Sequence, residues 1–442
     1  MKRKQLIYIG IIGICFLYTG SAYMSQFYRL IDFYDAIKVD IITSGYNYIF
    51  QALGILVFMV GLYYKPTVFS KRKLFIELLI SGSIFMVISQ LSMNALLIEL
   101  SGYVFNLHIG IYFGFYLTML ASGCPKQNIG TVFGIAYAIG SLGTYFISMF
   151  NDEMFLTSKT ITAVYFILIS ITIALILYAE DINYKQQLKK ENLKDIQFVY
   201  LIIIVCIMTT INVFGSDLYY SLPVAKDVNW NLIRAFYSIG LILAGILIDR
   251  NRFIGEVTVV GSLAYPLITT ALIGEGVTNT TILSLSYFFR GFLTIYYITA
   301  FVSLNEKGNK YLILAPCGLL TSRISEALLS ILLMTTDIPN IYKLIFSSFC
   351  FIPLLILSSL IQRKQYSIPM SQEKRLATFA EKYSLTSRET EIISCLNQNM
   401  SDSEISAKLF ISKNTVRFHI SNILKKTESS SRTEIIRKYQ SI

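Results

Sequence analysis

Residues 160–179 read TITAVYFILISITIALILYA, and the stretch that follows, Glu180 to Asp195, reads EDINYKQQLKKENLKD. The first is an uncharged run of the length that carries a helix across a bilayer core, about 20 residues. It is apolar on every side, so as a helix it must be surrounded by lipid or protein. The second is charged and rich in lysine, which suits a connection at the cytoplasmic surface. Working outward from this junction, the same length test selects about twelve stretches: 6–24, 42–64, 74–92, 102–121, 129–150, 160–179, 197–216, 230–249, 256–274, 280–303, 311–334 and 341–361. Between the third and fourth, the segment from Ser92 to Ser101 carries Asn94 and Glu99 and reads as a tight turn or a helix end.

Composition agrees. Of 442 residues, 54% are hydrophobic and only 15% charged, against about 25% charged in an ordinary soluble protein. Such a chain lacks the polar surface to cover a water-facing globule, and its aliphatic content excludes a disordered chain. The six cysteines stand singly and the two histidines, His108 and His419, form no cluster with them. Neither a disulfide framework nor a metal site is readable, and no cofactor is expected. Met1-Lys2-Arg3-Lys4 precedes the first apolar run, but Leu6 to Met24 is spanning length and no A-x-A site follows, so it reads as a retained first helix rather than a cleaved signal.

Lysine and arginine near the helix ends give the orientation. With the N-terminus inside, the inner side collects Lys2-Arg3-Lys4, Lys71-Arg72-Lys73, Lys189-Lys190, Arg250, Arg252 and Arg363-Lys364, while the outer side has Arg29, Lys38, Lys159, Lys226 and Lys343. Both termini are therefore expected in the cytoplasm, in a multi-pass protein of the inner (cytoplasmic) membrane.

The loop from Glu180 to Asp195 divides the spans into two sets of six, the plan of the major facilitator superfamily. After the eighth span, Gly245-Ile246-Leu247-Ile248-Asp249-Arg250-Asn251-Arg252 resembles that superfamily's G-x-x-x-D-R-x-[GA]-[RK]-R signature, without the small residue and one trailing basic residue. After the second span, Lys65 stands where the Asp belongs. The resemblance implies an all-α, facilitator-like bundle of twelve helices in two six-helix halves, with a ligand site between the halves. Asp249 and Arg250 would pair and brace the cytoplasmic helix ends.

Ionisable residues inside spans are costly and mark candidate sites. Arg290 falls near the middle of the tenth span; Arg323 and Glu326 fall near the middle of the eleventh, three apart on one helix face. These three are the candidate binding residues for an unidentified small-molecule ligand. The alternative is a structural network in which Glu326 neutralises Arg290. Gln51, Gln90, Asn106, His108 and Asn212 suit interhelical hydrogen bonds or the lining of a cavity, and the aromatic residues read mostly as interfacial belt and packing.

After Ile361 the composition turns polar. The expected division is a membrane bundle over 1–361, a linker over 362–383 and a soluble helical domain over 384–442. As a flexible coil the linker would reach about 25 Å, holding the domain near the inner leaflet. Thr386 with Glu389 forms a capping box for a helix carrying Ile392, Ile393 and Leu396. Asn399 suits the left-handed residue that ends it, and Asp402 caps a short second helix. Ile411-Ser412 makes the turn into a third, Lys413 to about Lys426, which buries Val416, Ile420, Ile423 and Leu424; a fourth runs from about Ser431 to Tyr439. Two short helices joined by a tight turn, the second exposed and basic, are the geometry that enters a DNA major groove.

The run Leu385-Thr386-x-Arg388-Glu389-x-Glu391-Ile392-Ile393, Ser401-x-x-Glu404-Ile405-Ser406, Leu409-x-Ile411-Ser412-x-x-Thr415-Val416-Arg417-x-His419-Ile420-x-Asn422-Ile423-Leu424-x-Lys426 and Ser431-Arg432-x-Glu434-Ile435 resembles the LuxR/FixJ-type helix-turn-helix domain. That resemblance implies double-stranded DNA as partner. Arg417, Phe418 and Ser421 would face base edges, Ser412, Thr415, Asn422 and Lys425 would contact phosphates, His419 and Val416 would mainly pack, and the last helix would pair two copies. Glu428-Ser429 replaces the usual Gly-Val after the third helix. From Ile411 onward, Lys413, Arg417, Lys425, Lys426, Arg432, Arg437 and Lys438 face only Glu428 and Glu434, the charge balance a DNA-binding surface needs.

These observations lead to a membrane-embedded one-component transcription regulator whose facilitator-like bundle senses a ligand. The alternatives are a secondary transporter with an autoregulatory DNA-binding tail, and an anchor that releases its tail by cleavage. No hydrolytic or redox constellation is present, so no enzyme is expected.

Overall fold

The computed structural model describes residues 3–152, 158–182, 196–220, 230–265, 278–302, 309–365, 372–398 and 400–440. The chain divides into two compact units, Met1–Ile361 and Gln362–Ile442.

The first unit is helical throughout its described residues because a lipid-facing backbone must satisfy its own hydrogen bonds. Its principal helices are α1 (Arg3–Ile31), α2 (Ala36–Tyr64), α3 (Arg72–Leu91), α4 (Ala95–Gly123), α5 (Ile129–Asp152), α6 (Ser158–Tyr178), α7 (Ile196–Tyr220), α8 (Trp230–Arg250), α9 (Arg252–Ser262), α10 (Thr278–Val302), α11 (Cys317–Thr335) and α12 (Asn340–Gln365). Among the described residues ten helices are long and apolar enough to cross a membrane. The other two expected spans correspond to α8, with its polar ends, and α9, whose expected continuation past residue 265 lies outside the described residues. So does most of the loop over 180–195 on which the sequence division rested. The turn before α4 is short: Asn94 Oδ1 accepts from the Leu97 amide and starts the helix directly after Ser92–Asn94.

Helix pairing repeats with a shift of six. α1 packs on α5, α2 on α4 and α3 on α4; correspondingly α7 packs on α11, α8 on α10 and α9 on α10. Glycine permits close backbone approach at corresponding contacts of both sets. A Cβ on Gly110 would lie 1.9 Å from the Gln51 carbonyl oxygen at the α2–α4 contact, and one on Gly240 would lie 2.0 Å from that of Phe288 at the α8–α10 contact. The small-residue packing of membrane helices allows backbones to approach this closely.

The halves meet through α2–α11 and α5–α8. At one end of the latter seam, the Asp249 carboxylate accepts from the backbone amides of Gly130 at 2.9 Å and Thr131 at 2.6 Å. Asp249 thus braces two helices, but its partners are the free amides at the start of α5 rather than Arg250. A helix N-terminus offers unpaired donors and a positive dipole end, which suits a carboxylate.

The second unit contains α13 (Gln372–Lys382), α14 (Ser387–Asn397), α15 (Asp402–Leu409), α16 (Lys413–Lys426) and α17 (Arg432–Gln440). α13 lies inside the stretch expected as linker. Its Phe379 is 1% exposed and packs with Ile392, Ile393, Ile405, Val416, Ile420, Ile423, Ile435 and Tyr439 in one core, so an apolar face within that polar stretch belongs to the domain. Capping boxes begin both α14, at Thr386 and Glu389, and α15, at Ser401 and Glu404. Position 399, expected to end α14, lies outside the described residues.

Candidate nucleic-acid interface and intramembrane site

The turn between α15 and α16 is built from two residues with opposite roles. Phe410 ends α15 in the left-handed conformation at φ 54°, and the Ser412 hydroxyl then caps α16 by accepting from the Thr415 amide at 3.1 Å. The Ser412 and Thr415 hydroxyls also bond to each other at 2.8 Å. Val416, Ile420 and Ile423 are the buried stripe of α16. The opposite stripe, at the same three-to-four spacing, exposes Asn414, Arg417, Phe418, Ser421 and Lys425. Phe418 is 63% exposed, a large apolar side chain presented to solvent beside the basic residues. Thr415, His419 and Asn422 are half-buried. Asn414 is absent from the sequence expectation although its position, three before Arg417, places it on the same face.

Two residues that the sequence offered as helix caps take further roles here, and the cap expected of Asp402 is supplied by Ser401 instead. Asp402, on α15, accepts from Arg417 Nε at 3.1 Å and, through its other oxygen, from Arg432 of α17. Burial pushes the Asp402 pKa up, but bonds from Arg432 and Arg417 outweigh it and hold the carboxyl below its usual range. No local pattern reports this triad, since its members are fifteen and thirty residues apart. Beneath the interface, the buried Glu389 carboxylate bonds Lys426 at 2.7 Å and the Thr386 amide at 2.8 Å. Desolvation raises the Glu389 pKa, yet Lys426 and the capping bonds prevail and depress it. The outward face of α17 carries Thr433, the half-buried Ile436 and Arg437.

In the membrane unit, Arg323 Nη1 bonds Glu326 at 2.7 Å, the expected same-face pair. Both side chains are largely buried, at 16% and 22% exposed. The Arg323 guanidinium lies 4.3 Å over the Tyr48 ring of α2 and within electrostatic reach of Tyr23 of α1, Tyr116 of α4 and Tyr137 of α5. An arginine of one half therefore faces tyrosines of the other. Tyr48 follows a π-helical segment, Ile41–Tyr46, within α2, a distortion frequent at functional sites. Nothing local in the sequence distinguishes these tyrosines among the 30 of the chain. Arg290 takes different partners: it donates to the Ser216 hydroxyl of α7 and lies 4.9 Å over the Tyr287 ring. The polar residues Gln51 and Asn106 bond each other at 2.7 Å between α2 and α4, and His108 bonds the Val104 carbonyl at 2.8 Å and Ser81 at 3.2 Å. Among the described residues no group of three His, Cys, Asp or Glu side chains is placed to hold a metal ion.

Residues 383–439 match the family described as bacterial regulatory proteins, luxR family. Within that segment the spore germination protein GerE of Bacillus subtilis is 41% identical over 58 residues, which are 13% of this chain and 78% of GerE. The chain belongs to the luxR family through this domain. A second relative, the uncharacterized transcriptional regulatory protein YhcZ of Bacillus subtilis, is 44% identical over 52 residues, 12% of this chain and 24% of YhcZ. The chain thus spans about a quarter of YhcZ, so what these relatives share with it is the DNA-binding module.

Among solved structures, the major facilitator superfamily transporter FucP in its outward conformation aligns with a TM-score of 0.56 at 14% identity, over 81% of this chain and 99% of that one. A variant of the Escherichia coli fucose:proton symporter FucP gives a TM-score of 0.53 at 14% identity and the same coverage. At this identity the likeness shows the fold: among the described residues every regular element is a helix, arranged as a facilitator-like membrane domain and a luxR-type helix-turn-helix. It has the features of a transcription regulator and a multi-pass membrane protein, and both point to a non-enzymatic role.

Proposed function

We propose that the protein is a membrane-tethered one-component transcriptional regulator of the inner membrane, with both termini in the cytoplasm. Its C-terminal domain binds double-stranded DNA sequence-specifically through α16, and its facilitator-like bundle senses a small-molecule ligand. The observation that carries this reading is the joint presence, on one chain, of a luxR helix-turn-helix with an exposed basic α16 face and a multi-pass helical bundle. Arg417, Phe418 and Ser421 serve as base-facing residues; Ser412, Thr415, Asn422 and Lys425 hold phosphates. Arg290, Arg323 and Glu326 are the ligand-facing groups. The domain division runs 1–361, 362–383 and 384–442, with α13 of the middle segment packed on the DNA-binding core, and α17 offers the surface for a homodimer.

Chromatin pull-down of the intact protein tests the DNA-binding half: defined promoters are recovered by the wild type and lost with Arg417→Ala. Recovery of the same promoters by the variant removes α16 as the reading element. A ligand-dependent thermal shift of the full chain tests the sensing half, since a ligand stabilises the state it binds.

A second reading, a secondary transporter with an autoregulatory DNA-binding tail, is favoured by the facilitator-like fold itself. Saturable uptake into proteoliposomes, weakened by Arg323→Ala, would support it over a pure receptor.

A further inference from the structure

We propose that Asp402 is the specificity-positioning residue of the DNA-reading surface, holding Arg417 by its Nε so that the two terminal amino groups present a paired donor to a guanine in the major groove. The inference rests on the DNA-binding reading above and names the base that reading leaves open.

Arg417 is anchored at one point only. Its Nε donates to Asp402 Oδ2 at 3.1 Å, and no other bond of its guanidinium is recorded among the described residues. The side chain is 67% exposed and the acid beneath it 17% exposed. Arg432 of α17 occupies the other carboxylate oxygen, so Asp402 is held from both sides. An unsupported arginine on a helix surface samples many rotamers and binds phosphate or base indifferently. With Nε held, the terminal amino groups of the planar fork remain for another acceptor, on a helix face that also exposes Asn414, Phe418 and Ser421. Guanine O6 and N7 are the acceptor pair in the major groove that matches such a fork. The two arginines also offset the negative charge of Asp402, which would otherwise repel the DNA backbone.

The arrangement makes a prediction that ordinary structural damage does not. Removing Asp402 lowers discrimination between bases but does not weaken the phosphate contacts, because an acid near the DNA has been deleted. Full-length protein in detergent is used to select duplexes from a random pool. Binding is then measured at fixed salt for the selected duplex, a scrambled duplex, and duplexes in which each guanine in turn is replaced by 7-deazaguanine, which lacks the N7 acceptor. For the wild type, one replacement weakens binding about tenfold. In Asp402→Ala that penalty falls below about threefold while affinity for the scrambled duplex is equal or tighter, which also shows that the domain is folded. Asp402→Asn, keeping one acceptor, lies between.

If Asp402→Ala retains the full penalty, or loses selected and scrambled duplexes equally, the positioning role is wrong and the DNA-binding reading stands. A wild type that discriminates without sensitivity to any guanine N7 also overturns it. If the wild type selects no sequence, the DNA-binding reading fails and takes this inference with it.

Discussion

Replacing Lys426 by Met leaves the buried Glu389 carboxylate without its counterion. The Glu389 side chain is 4% exposed and that of Lys426 35%, and Lys426 also donates to the Ser384 carbonyl at 2.9 Å. Stranding one member of a fully buried pair costs about 3–5 kcal/mol. Here Lys426 is one-third exposed, water reaches the pair, and the capping bonds to Thr386 remain, so the expected loss is about 2 kcal/mol. For a domain of this size that lowers Tm by about 8–16 °C. Chemical denaturation of residues 362–442, a compact unit, measures it by loss of helical circular dichroism.

The pH dependence provides the sharper test. The folded Glu389 pKa is depressed, so the pair's contribution is present above the unfolded value, about 4.3, and is lost as pH falls through the folded value. In Lys426→Met the carboxyl protonates at higher pH and the penalty vanishes with its charge. The wild-type and variant stabilities should therefore differ at pH 7 and converge in acid, and adding Glu389→Gln to Lys426→Met should recover part of the loss at neutral pH. A difference under about 0.5 kcal/mol at pH 7, or one that does not change with pH, would refute the argument.

Other perturbations address separate links. Phe379→Ala should destabilise the same unit by about 3–5 kcal/mol, measured by the same denaturation; a negligible effect would return α13 to the status of a linker. Lys425→Ala should weaken binding to selected and scrambled duplexes alike and reduce the slope of log affinity against log salt by about one. Gly240→Val places atoms where the Phe288 carbonyl already lies and should abolish a monodisperse, heat-stable bundle in fluorescence-detected chromatography, while Gly261→Ala, whose Cβ meets nothing within 4 Å, should leave it unchanged. Equal behaviour of the two variants would mean that α8 and α10 do not pack as described.

Elements whose signal is local were legible in the sequence. The uncharged run at 160–179 became α6, Thr386 and Glu389 form the box their spacing implies, and Val416, Ile420 and Ile423 form the buried stripe of α16, because helical periodicity and capping are set by residues three and four apart. Arg323 and Glu326 met on one turn for the same reason. What faces them was not readable: Tyr48, Tyr116 and Tyr137 come from three other helices and carry no mark that separates them from the remaining tyrosines. Asp249 pairs with the amides of α5 rather than with its sequence neighbour Arg250, because only the packing of α8 on α5 brings those donors, 119 and 118 residues away in the chain, within its reach.

By itself, then, the sequence determined which segments are long and apolar enough to cross a bilayer, which form the helix-turn-helix, and which face of α16 is exposed, since each follows from the free energy of placing apolar and charged groups along a single helix. Only the tertiary structure decided that α13 belongs to the DNA-binding core, that Asp402 joins Arg417 to Arg432, and that Arg323 looks across to the tyrosines of the other half. Those contacts depend on how separate helices pack, and packing is fixed by shape and partner geometry that no short stretch of chain contains.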